Sequence, residues 1–275
     1  MKTSFTSAVA KSCGIATVAA LAAFGAAEAK ADKLNDIISS GTLRCGVMLD
    51  FPPQGFRDAS GTPQGFDVET CKDIGKALGV KVELVETPAP QRIPSLVAGT
   101  TDISVAGTTP TLERGKTVTF TVPYNVGRML VAYKEGTPVA AFDDLKGKNV
   151  AVVRGTINET AYMDACAKWA EGCKNVSLAT NADAVTALRQ GRADAFIENN
   201  AFVEALVASK VGADIKVCCE VPGNTDWNAI AVPKGEYGLR DWLNYFVFWQ
   251  VDTGRYEELY QKFYNAPAPS LRSGK

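Results

Sequence analysis

The stretch RIPSLVAGTTDISVAGTTPTLER, residues 92–114, decides the fold class and supplies the first candidate functional group. Residues 93–98 have the apolar spacing of a helix, and residues 103–106 form a short apolar run typical of a buried strand. A Gly-Thr-Thr-Pro-Thr turn follows and leads to Arg114. This order of helix, strand and polar turn predicts an α/β unit with an arginine beyond the end of its strand.

The same alternation extends towards the N-terminus. Residues 43–48 are typical of a strand that follows a short helix ending at Gly41. Apolar residues recur at helical spacing between Phe66 and Leu78, and Gly79 is the stop signal. Residues 80–84 alternate between apolar and polar, as in a half-buried strand. Strands separated by helices predict parallel pairing and an α/β fold.

A second block with the same alternation begins near residue 130. It contains a strand at 150–153, a helix through Tyr162 and Trp169, a helix at 183–190, strands at 195–197 and 227–232, and helices between 240 and 264. The Pro-rich end from Ala266 is predicted to be a loose tail. Because no low-complexity linker separates the blocks, the chain is expected to cross directly between them.

The N-terminus has the layout of a cleavable secretory signal peptide. Lys2 and Lys11 precede an apolar, small-residue run at 13–27, and Ala-x-Ala sites end at Ala29 and Ala31. A membrane anchor is the alternative, but the run is shorter than the roughly 20 apolar residues that span a bilayer. We therefore predict a signal peptide over residues 1–31, with cleavage after Ala29 or Ala31.

Composition excludes several classes of function. The 275 residues carry a net charge of −1, so they form no basic footprint for nucleic acid. The chain contains no histidine, which removes the commonest general base and metal ligand and every serine–histidine triad. The cysteine spacing fits no zinc template. We therefore predict no metal, no cofactor and no nucleic-acid partner.

Six of the seven cysteines lie beyond the predicted signal peptide. An even number in an exported chain favours disulfides. Cys166 and Cys173 flank one predicted helical segment and form the most plausible local pair, while Cys45 and Cys71 lie on the first strand and first helix and could also bridge. A bond between the adjacent residues 218 and 219 would be strained. The alternative for all six is a role as small buried apolar side chains.

Six segments, in this order, resemble the bacterial extracellular solute-binding proteins of family 3, the periplasmic amino-acid-binding components of ABC transporters. They are GTLRCGV at 41–47 with DFPP at 50–53, GFDVE at 65–69, RIPSLVAGTTD at 92–102, GTTPTLER at 107–114 with FTVPY at 120–124, DLKGK at 144–148 with RGT at 154–156, and ALRQGRADAF at 187–196. One such motif is weak evidence, but six in sequence are specific.

The resemblance implies a two-lobed α/β fold of the type II periplasmic-binding-protein kind, in which each lobe is a mixed sheet flanked by helices. Lobe one is expected to comprise residues 32–126 and 228–268, lobe two residues 127–227, and residues 269–275 a tail. The chain crosses between the lobes at these boundaries, and the two crossing strands serve as a hinge.

The resemblance also implies a carboxylate site in the cleft between the lobes. Arg114 matches the family's carboxylate-binding arginine, Thr109 a position whose hydroxyl donates to the same group, and Gly107 a position where a backbone N–H approaches closely. From lobe two, Gly155 and Thr156 form a strand-to-helix turn at the positive end of a helix dipole. The alternatives are a surface arginine paired with an acid and an ordinary N-cap threonine.

Asn199 stands where the family usually has the aspartate that binds the ligand's ammonium group. An amide accepts a hydrogen bond from an ammonium group but supplies no charge. Either the neighbouring Glu198 takes over, or the cationic end is bound differently, or the ligand is not a standard α-amino acid. The alternative for Glu198 is a solvated residue at a strand edge.

Side-chain specificity is predicted to come from Met48, Asp50, Phe51, Arg92 and Asn181. Phe51 matches an aromatic that stacks over the ligand, and Met48 stands where binders of basic amino acids tend to carry an acid. Arg92 matches a position that contacts a side-chain carboxylate in proteins resembling glutamate/aspartate binders; its alternative is a structural salt bridge. These residues predict a polar or acidic ligand.

The predicted function is a periplasmic substrate-binding protein of an ABC importer. It closes over an amino acid or related small carboxylate, delivers it to a membrane permease, acts as a monomer and catalyses nothing. One alternative is an enzyme on the same scaffold, similar to cyclohexadienyl dehydratase, which needs a cleft acid with a raised pKa such as Glu198 or, less favourably, Glu159. The other alternative is a ligand-sensing module for a receptor.

Overall fold

The computed structural model describes Met1 and residues 32–271, so the rest of the predicted signal peptide and its cleavage site lie outside the described residues. Helices and strands alternate as predicted. The α-helices are α1 (Lys33–Ser40), α2 (Phe66–Leu78), α3 (Arg92–Val97), α4 (Ile157–Cys166), α5 (Asn181–Arg189), α6 (Asn200–Ala208), α7 (Tyr237–Asp252) and α8 (Arg255–Tyr264). The strands are β1 (Thr42–Val47), β2 (Asp50–Phe51), β3 (Gly55–Arg57), β4 (Pro63–Gln64), β5 (Lys81–Glu86), β6 (Ile103–Ser104), β7 (Val118–Lys134), β8 (Asn149–Val153), β9 (Lys174–Leu178), β10 (Ala195–Asn199) and β11 (Ile215–Pro233).

Local sequence signals set the ends of several helices. The Asp32 carboxylate accepts a backbone hydrogen bond and caps the start of α1, and Gly41 ends that helix with a φ of 68°. Gly79 ends α2 in the same left-handed conformation, with a φ of 69°. Thr156 caps the start of α4 through its hydroxyl oxygen. The predicted ends of α1 and α2 are thereby confirmed.

One eight-stranded sheet runs through the chain in the order β5-β1-β6-β11-β7-β10-β8-β9. At one end β1 pairs in parallel with β5 and β6, and at the other β8 pairs in parallel with β9 and β10. We call the part built on β1, β5 and β6 the first lobe and the part built on β8, β9 and β10 the second lobe. The α/β class and the parallel pairing within each lobe are confirmed.

The long strands β7 and β11 join the two lobes. They pair antiparallel with each other from Val118 and Pro233 to Lys134 and Ile215, with register shifts along the way. β11 also pairs with β6 in the first lobe, and β7 with β10 in the second. The predicted crossings at 126–127 and 227–228 fall within this pair of strands; the lobe boundaries themselves stay a prediction.

Each lobe has an apolar core. In the first lobe, Phe66 on α2 lies at the centre of an aromatic cluster, with ring centroids 5.7 to 6.3 Å from those of Tyr124, Tyr256, Tyr260 and Tyr264. In the second lobe, buried side chains of β7, β8 and β10 pack against α4. Among the described residues, no helix combines the length and apolar character that a membrane span requires.

Two expectations about segment ends are corrected. α4 ends at Cys166 rather than continuing through Trp169, and the following turns are closed by a disulfide. The C-terminal segment is not loose up to Leu271, because Ala266, Ala268 and Leu271 pack against the first-lobe core. The Tyr256 hydroxyl also donates a hydrogen bond to the carbonyl of Pro269, over 3.1 Å.

All six cysteines beyond the predicted signal peptide form disulfides in the structure. Cys45–Cys71 joins β1 to α2, and Cys166–Cys173 closes the turn after α4. The sequence indicated the second as the most plausible pair and allowed the first. The adjacent residues 218 and 219 on β11 form the third bond. The crosslinks therefore lie within lobes and leave the two crossing strands free of any bond between lobes.

Candidate ligand-binding site

A polar cleft lies where the two lobes face each other. Eight of the twelve predicted site residues line it: Met48, Phe51, Arg92, Gly107, Thr109, Arg114, Thr156 and Glu198. Three lining residues were missed by the sequence reasoning: Ile157, Asn158 and Asp226. The other predicted residues, Asp50, Gly155, Asn181 and Asn199, do not line the cleft, and their contacts are described below.

Arg114 reaches across the cleft from the first lobe to the second. Its Nη1 donates to the carbonyl of Thr109 over 2.6 Å, and its Nη2 donates to the carbonyl of Gly155 over 2.7 Å. Burial, together with the nearby charge of Arg92, lowers the pKa of Arg114 to about 10. The guanidinium is therefore a charged, half-buried donor, with which an anion interacts more strongly than it would in bulk water.

Thr109 and Asp226 are hydrogen-bonded within the cleft. The Thr109 hydroxyl donates to Oδ1 of Asp226 over 2.5 Å, so this proton is already engaged with a carboxylate. Asn228 donates to the same oxygen and Asn199 to Oδ2, each over 2.7 Å. Asp226 is 7% exposed and belongs to β11, the strand that returns to the first lobe.

Gly107 contributes space and backbone geometry. Its N–H donates to the Tyr124 hydroxyl over 3.2 Å, so in this structure that N–H points away from the cleft. Its φ is +55°, a conformation that glycine adopts readily. A Cβ at this position would lie 2.9 Å from Oε1 of Gln54 and 3.3 Å from the ring of Phe51. The missing side chain thus lets Phe51 close one wall of the cleft.

Arg92 is buried at the base of the cleft, with 5% of its surface exposed. It donates to the carbonyls of Ala89, Ala106 and Gly107 over 2.7 to 3.2 Å. Burial lowers its pKa, while the carboxylate of Asp226 acts in the opposite direction. These hydrogen bonds go to carbonyl groups rather than to a carboxylate, so they do not amount to a structural salt bridge.

The turn before α4 forms the second-lobe wall. The Thr156 hydroxyl accepts from the N–H of Glu159 over 3.2 Å and donates to the carbonyl of Val153 over 2.6 Å. The N–H of Gly155 donates to the Glu159 carboxylate over 2.9 Å. Glu159 therefore completes the start of α4. The next residues of the helix, Ile157 and Asn158, line the cleft at the positive end of its dipole.

Asp50 and Phe51 connect the lobes beside the cleft. The Asp50 carboxylate accepts from the N–H of Asn181 at the start of α5 over 2.8 Å. The ring of Phe51 stacks on that of Phe202 from α6, with centroids 5.6 Å apart. Both contacts join a first-lobe residue to a second-lobe residue. They stabilise the closed arrangement of the two lobes.

Glu198 is a buried acid that accepts hydrogen bonds at one of its two carboxylate oxygens. Its Oε1 accepts from Nδ2 of Asn158 over 2.6 Å and from the N–H of Asn199 over 2.7 Å. Burial raises its pKa to about 7, the charge of Asp226 raises it further, and the charge of Arg92 opposes the rise. Glu198 is therefore not a solvated residue at a strand edge, and it titrates near neutral pH.

The Glu198→Gln variant is expected to flatten the pH dependence of stability. A carboxyl whose pKa is higher in the folded than in the unfolded chain makes the free energy of unfolding fall as the pH rises, here between about 4.5 and about 7. The variant should remove up to about 1.4 kcal/mol per pH unit of that fall. Urea unfolding at pH 5, 6, 7 and 8 measures it.

The control for this measurement is Glu220→Gln, because Glu220 lies on β11 with a half-exposed side chain paired to Arg128. The free energy of unfolding of this variant should depend on pH as that of the wild type does. Part of the fall persists in Glu198→Gln, since burial also raises the pKa of Asp67 to about 8. Identical slopes for the wild type and Glu198→Gln would contradict the assignment.

Taken together, two α/β lobes, two crossing strands and a polar cleft define the class of type II periplasmic binding proteins. The comparison with protein families gives the same class: the pattern of the bacterial extracellular solute-binding proteins, family 3, matches residues 43–266. The chain belongs to this family.

Individual relatives show how far the likeness extends. An ABC transporter glutamine-binding protein of Bacillus subtilis is 29% identical over 86% of this chain and 86% of its own length. The solute receptor for L-cysteine of Neisseria gonorrhoeae has a TM-score of 0.78 at 31% identity, over 84% of this chain and 92% of that one. An ancestral amino-acid-binding protein, a precursor of cyclohexadienyl dehydratase, has a TM-score of 0.76 at 31% identity, over 84% and 99%.

Proposed function

We propose that this protein is the substrate-binding component of an ABC importer, and that it binds a polar or acidic amino acid, or a related small carboxylate, in the cleft. The observation that carries the proposal is Arg114, a partly desolvated guanidinium that reaches from one lobe to the other.

The ligand's α-carboxylate is assigned to Arg114 and to the start of α4. Arg114 donates to two carbonyl oxygens, and a carboxylate is a stronger acceptor for the same planar pair of donors. Ile157 and Asn158 lie opposite at the positive end of the α4 dipole. A carboxylate between these groups contacts both lobes at once.

The charges of the cleft favour a polar or acidic ligand side chain. Arg92 and Arg114 supply two positive charges, against the carboxylates of Asp226 and Glu198. Because the pKa of Glu198 is raised to about 7, the cleft carries one net positive charge at slightly acidic pH. Met48 and Phe51 complete the wall with apolar surface and offer no counter-charge to a basic side chain.

Binding couples to closure of the lobes, and the closed form is the one that a membrane permease recognises. Contacts across the cleft, such as Phe51 on Phe202 and Asp50 on Asn181, exist only when the lobes are together. We propose that the mature chain acts in the periplasm as a monomer and transforms no substrate. The binding role is supported by two of the relatives compared above, which are named for glutamine and for L-cysteine.

A thermal-shift screen tests the proposal. Amino acids, dicarboxylates and amines without a carboxylate are each added in large excess to the mature protein. We expect a small group of polar or acidic amino acids to raise the melting temperature by several degrees, because a ligand at 100 times its Kd stabilises by about 2.7 kcal/mol. Amines should give no shift. No shift with any α-carboxylate would overturn the proposal.

A further inference from the structure

The cleft holds a carboxylate that the resemblance to the family does not assign, that of Asp226 on β11. Although buried, it lines the cleft together with both arginines. Its negative charge raises the pKa of Arg92 and of Arg114, against the lowering effect of burial. Asp226 thus interacts electrostatically with both guanidinium groups.

The hydrogen bonds of Asp226 leave capacity on one of its oxygens. Oδ1 accepts from the Thr109 hydroxyl and from Nδ2 of Asn228, whereas Oδ2 accepts from Nδ2 of Asn199. A carboxylate offers about four acceptor positions. Within residues 32–271, these hydrogen bonds therefore occupy three of the positions, and the remaining position is on Oδ2.

Both ends of the Asn199 amide are already hydrogen-bonded, in an arrangement that disfavours binding of an ammonium group. Its Oδ1 accepts from the N–H of Ala201 over 2.9 Å and caps α6, and its Nδ2 is turned towards Asp226. Gly127 makes room for this orientation, because a Cβ there would overlap Nδ2 of Asn199. Since Nδ2 is a donor, it orients a carboxylate and does not accept from a cation.

We propose that Asp226 binds the ammonium group of a zwitterionic α-amino acid, and that Asn199 is a positioning residue that orients Asp226 for this contact. The inference rests on the proposed function. It locates the charged partner of the ammonium group on the returning crossing strand rather than at the end of β10.

Thr109 shows why this pair of sites suits a zwitterion. Its carbonyl oxygen accepts from Arg114 and its hydroxyl donates to Asp226, so one residue links the positive and negative groups. The Arg114 guanidinium and the Asp226 carboxylate therefore both contact Thr109. This close placement of opposite charges matches a ligand whose carboxylate and ammonium groups share one carbon. A ligand without the ammonium leaves Asp226 buried and without a cationic partner from the ligand.

Glu198 is the competing acid, and the structure favours Asp226 over it. Asp226 receives hydrogen bonds from three side chains that lie on both sides of the cleft. Glu198 receives its bonds at Oε1 from the second lobe alone, and the charge of Asp226 disfavours its ionised form. A permanent cation is therefore better matched by Asp226.

Paired ligands separate the ammonium contact from the rest of the site. The amino acid with the largest shift in the screen is compared with its 2-hydroxy acid, which for L-glutamate is (S)-2-hydroxyglutarate, by calorimetric titration. In Asp226→Asn we expect the amino acid to bind about 100-fold more weakly or worse, and the hydroxy acid to bind within about threefold of the wild type. In Glu198→Gln the amino acid should lose less than about tenfold.

Three controls complete the experiment. Glu220→Gln, on the same strand but half-exposed, should bind both ligands as the wild type does. Asp226→Glu retains the charge but moves it. If circular dichroism shows that Asp226→Asn does not fold, the ratio of the affinities for the amino acid and the hydroxy acid is measured in Asp226→Glu. In the wild type, the hydroxy acid should bind at least 100-fold more weakly than the amino acid.

The outcomes are distinguishable. If the wild type binds an amino acid and both Asp226 variants keep its preference over the hydroxy acid, the inference is overturned and the proposed function stands. Equal affinity of the wild type for both ligands also overturns it. If no α-amino acid binds the wild type, the proposed function fails and this inference with it. Loss of the preference in the Asp226 variants supports the assignment.

Discussion

Arg114→Ala is expected to weaken binding of any α-carboxylate ligand by about 100- to 1,000-fold. Removing a buried charged donor from a hydrogen-bonded ion pair costs about 3–4 kcal/mol, and each 1.4 kcal/mol is a factor of ten in Kd. In this chain the guanidinium is partly desolvated, so water substitutes poorly for it. Calorimetric titration with the best ligand from the screen measures the loss.

Two companion variants show whether the loss arises from the guanidinium itself. Arg114→Lys keeps a positive charge but loses the planar pair of donors, so its affinity should lie between those of the wild type and the alanine variant. Lys116→Ala removes an exposed cation two residues away, which is paired with Glu113. It should bind normally. Unchanged affinity in Arg114→Ala would exclude Arg114 as the carboxylate site.

The second large effect concerns stability. The double variant Cys45→Ala/Cys71→Ala should lower the free energy of unfolding by about 3.5 kcal/mol, because the disulfide closes a loop of 26 residues and restricts the unfolded chain. For a chain of this size that corresponds to a fall of about 10 °C in melting temperature. Both cysteines are fully buried in the first-lobe core, so the small cavity left behind acts in the same direction.

The pair Cys166–Cys173 provides the matched comparison. Its loop spans seven residues, so the same entropy argument predicts a loss of about 2.4 kcal/mol for Cys166→Ala/Cys173→Ala. Differential scanning calorimetry of the two double variants measures both losses. A larger loss from the short loop than from the long one would contradict the loop-entropy explanation for this protein.

Much of the fold is encoded in short stretches. The α-helix and strand patterns around β1, α2 and β5 depend on side chains a few residues apart, and so do the stop signals at Gly41 and Gly79. These elements form where the sequence predicts them. The end of α4 was missed because the apolar spacing continues past Cys166, whereas the chain turns there towards its disulfide partner.

The cleft was only partly accessible to sequence reasoning. Arg114, Thr109 and Thr156 were found because they lie in turns whose local sequence resembles the family's. Asp226 was missed although it lies at the predicted return crossing. Its side-chain direction depends on where β11 pairs with β7, and the register shifts between Glu220 and Thr225. No local pattern signals such a shift.

The sequence by itself determined the α/β class, the family, the succession of elements and the residue types available to the cleft, because those properties depend on local periodicity and short motifs. Only the tertiary structure decided which polar groups are already engaged. The Thr109 hydroxyl is bonded to Asp226, 117 residues away, and the Asn199 amide to the same carboxylate, 27 residues away. Such pairs form only when distant strands meet in one register and buried polar groups select their partners.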